Sequence, residues 1–240
     1  MKKILITFLL ITTAQIVQAQ SFEGVIIYSL SYEVKGKFSS MKDVLMEKLK
    51  EKEDYFDTLK VYIKQGNYKK VNNAASATSI IYRSDENKIY NLIENFEYVT
   101  IADASKVSIS KIEFPEPEIF NSDTLKTING IPCKAMVVRW SGLGDEWYFY
   151  NENTAVVNAD LFRQHQLEYL DVILKATGSY PLEISKSINN FITVNMRLVS
   201  IEETAVADSE FDIPALKKAD KKTVKAMGLL FDQEVMKIKN

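Results

Sequence analysis

The sequence predicts an α+β fold in which a strongly curved antiparallel sheet, an unclosed β-barrel, carries two or three helices packed on its concave face. Most of the chain alternates apolar and polar residues with a period of two, which is typical of half-buried strands. Two or three segments instead repeat apolar residues at intervals of three and four, as amphipathic helices do. A sheet of this length must curl or be covered, because its edges and its apolar face cannot stay exposed.

The strand pattern recurs along most of the chain, with turn-forming residues between the segments. Strands are predicted at 22–34, 59–64, 68–72, 78–83, 88–93, 96–101, 107–114, 123–128, 131–140, 146–150, 181–187 and 191–203. Asn129-Gly130 predicts a tight hairpin, because both residue types accept the positive φ angles of a type I′ turn. Pro115 and Pro117 interrupt the pattern and indicate a connection between two halves of the sheet.

Helices are predicted at about 41–54, 159–176 and 221–238, where apolar residues recur at helical spacing. Gly178 stands just past the second of these segments, as expected for a helix end. We find no internal repeat and no low-complexity linker, so residues 20–240 are expected to form a single mature domain.

Residues 1–19 predict a signal peptide. Lys2 and Lys3 precede a short apolar run, and small or β-branched residues end at Ala19, which predicts cleavage before Gln20. The apolar run is shorter than the roughly 18–20 residues that cross a bilayer. The residue directly after the predicted cleavage point is Gln20 and not a cysteine, which excludes lipid attachment to a new N-terminal cysteine. We therefore expect a protein of the periplasm, or a secreted one, with no integral membrane segment after signal removal.

The composition favours a packed globular protein. Hydrophobic residues make up 46% of the chain, with 12 phenylalanines and 12 tyrosines, which is enough for a substantial core. Loss of Lys2 and Lys3 would leave 28 basic residues against 32 acidic ones, a net charge near −4, so a nucleic-acid partner is not expected. Cys133 is the single cysteine, so stability must come from packing and not from an internal disulfide.

No motif for catalysis, a metal or a cofactor stands out. His165 is the single histidine and cannot assemble a histidine-based metal site, so a surface or capping role is expected. Cys133 alternates with apolar neighbours on its strand and is expected to be a buried, inert thiol. The protein is therefore expected not to be an enzyme and to hold no metal or cofactor, although distant carboxylates could still converge in the fold.

A basic group near the C-terminus admits two interpretations. It comprises Lys217, Lys218, Lys221, Lys222 and Lys225. It could contact anionic lipid headgroups or an acidic partner, or it could be the solvated face of a helix. We expect the second.

The strand at 131–140 is apolar on both sides. Met136, Val138 and Trp140 share one face, and Ala135 and Val137 share the other. Such a strand is expected where one face meets helices and the other meets a second layer or lines a pocket, and core packing alone also explains it. The candidate apolar ligand contacts are Met136, Val138, Trp140, Trp147 and Phe149.

Five short motifs follow one another along the chain: FEGVIIY (22–28), TINGIPCK (127–134), WYFY (147–150), YPLEI (180–184) and FDIP (211–214). In this order they resemble an uncharacterised exported family of Gram-negative, Bacteroidetes-type bacteria with a periplasmic lipoprotein-carrier-like fold. The resemblance implies an unclosed β-barrel that holds helices in its concavity, a shape that receives acyl chains in the lipoprotein carriers. The acyl-binding residues of those carriers have no counterparts here, so none is carried over.

Two hypotheses about function follow. The first is a non-enzymatic binder or carrier of an apolar ligand, such as a lipid or an acyl chain, in the concavity of the sheet. The second is an envelope scaffold or protein–protein interaction module whose helices fill the concavity and whose surface binds an envelope protein. An open or a filled concavity separates these hypotheses.

Overall fold

The computed structural model describes residues 21–108, 115–142, 144–188, 192–226 and 233–239. These residues form one curved antiparallel sheet that does not close, together with short helices, which is the predicted fold class. The strands are β1 (Gly24–Val34), β2 (Thr58–Lys64), β3 (Asn67–Asn72), β4 (Thr78–Arg83), β5 (Lys88–Ile93), β6 (Tyr98–Asp103), β7 (Glu118–Ile128), β8 (Ile131–Trp140), β9 (Gly144–Tyr150), β10 (Glu183–Ile188), β11 (Ile192–Glu203), β12 (Leu216–Lys218) and β13 (Glu234–Ile238). The predicted signal peptide and residues 109–114 of one predicted strand lie outside the described residues.

Two meanders make up most of the sheet. The order of strands across it is β12-β13-β6-β5-β4-β3-β2-β1-β11-β10-β9-β8-β7. The meanders β1–β6 and β7–β11 meet where β1 pairs with β11, with Tyr28 opposite Leu198. The connection that contains Pro115 and Pro117 leads from β6 to the edge strand β7, so it joins the two halves as predicted.

The prediction of a helix at 221–238 is wrong in its C-terminal part. Helix α3 covers Lys221–Ala226, but Glu234–Ile238 is strand β13, which pairs with β6 through Glu234 opposite Ile101. The physical reason is the free edge of β6, whose unpaired backbone groups bind a further strand. Strand β12, also absent from the prediction, then pairs with β13.

The other two predicted helices are present in different forms. Helix α1 covers Lys42–Lys50 and buries none of its residues. The segment predicted at 159–176 is broken into two 3-10 turns, Ala159–Phe162 and Leu167–Tyr169, and helix α2, Leu170–Thr177. Helix α2 buries Ile173 and Leu174 against the concave side of the sheet.

Two hairpin turns have positive φ angles at both central residues, as type I′ geometry requires. They are Asn129-Gly130, as predicted, and Gln65-Gly66. Gly66 also packs tightly, because a Cβ added there would lie 2.9 Å from the Cβ of Leu161. This contact packs the turn between β2 and β3 against the 3-10 turn Ala159–Phe162.

Core packing and ion pairs on the reverse face stabilise the sheet. A second hydrophobic cluster, separate from the main core, covers the face of β4–β6 opposite the concave one. It includes Val206 and Phe211 from the segment after β11. Glu183, only 4% exposed, forms an ion pair with Lys126. Lys134 and Glu152 form a comparable pair at 2.8 Å, but both side chains are 57% exposed.

Candidate functional site

A cavity of about 330 Å³ lies between the concave face of the sheet and the segment at 165–173. Its wall comes from both meanders and from α2. The lining residues are Tyr28, Leu59, Val61, Tyr68, Lys70, Ile80, Ile89, Asn91, Thr100, Ala102, Tyr148, His165, Leu167, Glu168, Leu170, Ile173, Tyr180, Pro181, Ile184, Lys186, Met196 and Gln233. Within the described part of the chain, the helices therefore leave this part of the concavity open.

Strand register explains how this wall forms. One row across the first meander runs Val61, Lys70, Ile80, Asn91 and Thr100, each opposite the next. Directly opposite residues of neighbouring antiparallel strands point to the same face. A single face therefore presents apolar side chains interrupted by one lysine and two neutral polar groups.

Lys186 on β10 is the centre of a charged group in the cavity. Its Nζ lies 3.0 Å from Glu168 Oε2 and 3.4 Å from Glu146 Oε2. The Tyr148 hydroxyl donates a hydrogen bond of 2.6 Å to the same Glu146 oxygen. Burial disfavours the charge of Lys186, but the nearby carboxylates, Glu168 foremost, raise its pKa well above the usual value.

Glu168 reaches this group from an unusual backbone. Glu168 and Tyr169 both have left-handed angles, with φ of 54° and 58°. Each such non-glycine residue costs of order 1–3 kcal/mol and needs support from its surroundings. The Glu168 amide donates to the Val107 carbonyl at 2.9 Å, which supplies part of that support. Residues with left-handed backbone angles cannot continue a right-handed helix, so the helix predicted at 159–176 is interrupted at Glu168 and Tyr169.

The charge of Lys186 lowers the pKa of Glu168 to about 2. The Glu168 side chain nevertheless keeps 68% of its surface accessible to water. The ion pair is therefore expected to orient Glu168 more than to stabilise the fold, because solvated pairs contribute little.

His165 is buried at the cavity wall, only 2% exposed, so the expectation of a surface or capping role is wrong. The Tyr68 hydroxyl lies 2.9 Å from His165 Nε2, and the Tyr82 ring packs against the imidazole at 4.4 Å between centroids. Burial and, after it, the charge of Lys70 lower the pKa of His165 to about 4. The imidazole is neutral near pH 7, and its tautomer decides whether Nε2 accepts from the Tyr68 hydroxyl or donates to it. Nδ1 has no partner among the described residues.

Lys70 differs from Lys186, because it forms no ion pair with any described residue. Its Nζ lies 4.8 Å from the centroid of the Tyr68 ring. Burial lowers the pKa of Lys70, the charge of Glu168 opposes this shift, and that of Lys186 adds to it. The polar groups Lys70, Glu168, Lys186 and His165 are thus electrostatic neighbours at one part of an otherwise apolar wall.

The predicted ligand contacts do not line this cavity. Met136 and Val138 are buried in a cluster with Ile173 of α2, and the Trp140 ring lies 5.9 Å from that of Tyr169. Alternation places Trp147 and Phe149 on the opposite side of β9 from Tyr148, where their rings stack at 6.1 Å. A role of these five residues in ligand binding stays a prediction.

The structure also places two further features of the sequence, Cys133 and part of the basic group near the C-terminus. Cys133 is buried, as predicted, and burial raises the pKa of its thiol. Lys217 and Lys218 lie on β12 and Lys221 and Lys222 on α3, and all four are exposed.

Two general features of the described part of the chain bear on partners. No helix within it combines the length and the apolar character needed to cross a membrane. The same residues contain no group of three or more histidine, cysteine, aspartate or glutamate side chains that could hold a metal ion.

Comparisons with known proteins are sparse. No protein-family model and no curated protein matches the chain. A solved structure of PNGF-II, in space group C2, is similar with a TM-score of 0.47 and 11% sequence identity. That match covers 85% of this chain and 32% of the PNGF-II chain, so this chain spans about a third of that length. A likeness at this level carries no argument about function.

Proposed function

We propose that this protein is exported to the periplasm and binds an apolar ligand, a lipid or an acyl chain, in the concavity of its curved sheet, without catalysing a reaction. The cavity of about 330 Å³ is the observation that carries the proposal. Its volume falls at the lower end of the roughly 300–1,000 Å³ of small-molecule pockets. A single chain suits this size better than a two-chain lipid.

The apolar wall sets the expected affinity. Burial of one methylene group contributes about 0.8 kcal/mol, so a chain of about ten contributes roughly 8 kcal/mol before any cost. Association costs at least about 4 kcal/mol in lost freedom of motion. A neutral chain of about ten methylene groups is therefore expected to bind with a dissociation constant of about 1 mM or weaker, and each further buried methylene group tightens binding about fourfold.

A neutral fluorescent probe, N-phenyl-1-naphthylamine, tests the location of the site. Ile80 lines the cavity, so Ile80→Trp fills part of it and should weaken probe binding at least tenfold. Leu92 lies on the opposite face of the neighbouring strand, in the second cluster, so Leu92→Trp is the matched control and should bind as the wild type does. Equal binding by the Ile80→Trp variant would place the site elsewhere.

Export and natural cargo are tested on protein from its own cell envelope. N-terminal sequencing of the periplasmic fraction should begin at Gln20. Native mass spectrometry should show a co-purifying lipid. A protein that stays in the cytoplasm contradicts the export step, and one that carries no lipid and binds no fluorescent fatty acid contradicts the carrier function.

A second candidate function, the envelope scaffold, is favoured by helix α1. This helix buries none of its residues. Val44 is 50% exposed, and Met41, which directly precedes the helix, is 48% exposed. Exposed apolar side chains of this kind can contact a protein partner. A photo-crosslinker at Val44 that yields one discrete adduct in intact cells, together with no ligand binding by the purified protein, would favour this candidate.

A further inference from the structure

Lys70 is a cation set into an apolar wall, and no described residue forms an ion pair with it. Its neighbours in the strand row are Val61 and Ile80, and its Nζ donates no hydrogen bond to any described residue. The adjacent aromatic face of Tyr68, 4.8 Å away, compensates only part of a lost ion pair. An incompletely solvated ammonium group is costly unless a partner of opposite charge binds it.

The other charged groups of the cavity do not supply that partner. Lys186 has two carboxylates within 4 Å, Glu168 and Glu146, and neither of them forms an ion pair with Lys70. Glu168 acts on Lys70 only at longer range. His165 is neutral near pH 7 and adds no charge. Lys70 is therefore the charged group of the cavity that has no group of opposite charge in contact with it among the described residues.

This arrangement discriminates among ligand classes. A cationic head group would be repelled by Lys70, and a neutral one would leave its charge unpaired. An anionic head group would bind it directly, since charge-assisted hydrogen bonds are shorter and stronger than neutral ones. The Tyr180 hydroxyl, also without a hydrogen-bond partner in the described structure, is a further polar group on the same wall.

We propose that the ligand is a single-chain anionic amphiphile whose head group pairs with Lys70 while its chain lies along the apolar wall. This inference rests on the proposed binding function and adds the chemistry of the ligand to it. A carboxylate and a phosphate monoester share the required chemistry, an anionic oxygen group at the end of one apolar chain.

The test compares four probes of equal chain length: dodecanoate, dodecyl phosphate, dodecanol and dodecylamine. Each displaces N-phenyl-1-naphthylamine from the full mature protein at pH 7, below its micelle concentration. The wild type should bind the anionic probes roughly tenfold to a hundredfold more tightly than dodecanol, the range expected of one hydrogen bond to a charged group. Tighter binding of dodecanoate assigns a carboxylate head group, and tighter binding of dodecyl phosphate assigns a phosphate.

Lys60 provides a matched control. Its Nζ lies 4.7 Å from the Tyr62 ring, as Lys70 lies over Tyr68, but on the opposite face of the adjacent strand. The preference for anionic probes over dodecanol should vanish in Lys70→Met with dodecanol affinity unchanged. It should persist in Lys60→Met and in Lys70→Arg.

The outcomes separate the two proposals. Binding of dodecanol with no anion preference in the wild type, a preference that survives Lys70→Met, or tighter binding of dodecylamine would overturn the Lys70 inference and leave the proposed function standing. Failure of every probe to bind would overturn both. Cooperative thermal unfolding of each variant, at or above the wild-type temperature, confirms that the comparison is made on folded protein.

Discussion

Acidification should destabilise this protein before most of its carboxylates are protonated, because His165 is buried in its neutral form. The imidazole is 2% exposed and its Nε2 forms a hydrogen bond of 2.9 Å with the Tyr68 hydroxyl. Burial is the main cause that lowers its pKa from 6.5 to about 4, and the charge of Lys70 adds to it. The nearby carboxylate of Glu168 opposes the shift.

The magnitude follows from the two pKa values of His165. The unfolded chain takes up a proton near pH 6.5 and the folded protein only near pH 4, so stability is complete above pH 6.5 and falls as the pH is lowered between these values. At 1.36 kcal/mol per pKa unit, about 2 kcal/mol is lost by pH 5 and about 3 kcal/mol by pH 4. Glu168, whose pKa falls from 4.5 to about 2, loses its stabilising effect only below pH 4.5. Measurements at pH 5 therefore report mainly on His165.

Urea unfolding at pH 7 and pH 5 measures the effect. The variant His165→Gln keeps an acceptor for the Tyr68 hydroxyl but cannot titrate in this range. Between the two pH values the wild type should lose about 2 kcal/mol more unfolding free energy than the variant. Because the chain has one histidine, its imidazole proton resonance in the NMR spectrum of untagged protein gives the pKa directly.

The reasoning fails if the two proteins lose the same unfolding free energy between pH 7 and pH 5. It also fails if the imidazole of the folded protein titrates near pH 6.5. Either result means that the site is hydrated or mobile enough to accept the imidazolium ion.

Two further predictions compare matched residues. Gly66→Ala should destabilise more than Gly130→Ala, about 2–3 kcal/mol against about 1 kcal/mol in thermal unfolding, because both residues have positive φ but only Gly66 also meets a packed side chain; equal losses would contradict the contact. Lys126→Met should cost about 2 kcal/mol in urea unfolding, because it leaves the buried Glu183 carboxylate with only the more distant Arg197, 3.8 Å away, whereas Lys134→Met, which breaks an exposed pair, should cost much less; the reverse order would refute this.

Local sequence patterns predicted most of the sheet. The strands at 78–83, 88–93 and 131–140 end where their turn residues predict, because alternation and turn chemistry depend on neighbouring residues alone. Glu234–Ile238 was predicted as helix, because its apolar spacing continues that of the preceding segment. Its strand conformation depends on the free edge of β6, which is remote in sequence.

The site could not be predicted in the same way. Lys70 and Lys186 lie on strands of different meanders, and only the pairing of β1 with β11 brings these meanders into one concave face. Met136 and Val138 do alternate in step with Tyr148, which lines the cavity, but they are buried in the cluster that includes Ile173 of α2. Sequence alternation predicts a face and does not predict what covers it.

The two cavity lysines, Lys186 and Lys70, are expected to affect the stability of the fold in opposite directions. Lys186 pairs with Glu168 and Glu146, and its removal should destabilise the fold because it would leave the largely buried Glu146 without its cation. Lys70 forms no ion pair with any described residue, and an apolar residue of similar volume would fit between Val61 and Ile80, so Lys70→Met should raise the unfolding free energy of the ligand-free protein by about 1 kcal/mol. The same variant should lose the preference for anionic chains. Opposite signs for stability and binding are expected of a residue that acts on a ligand, and a loss of stability in Lys70→Met would instead give Lys70 a structural role.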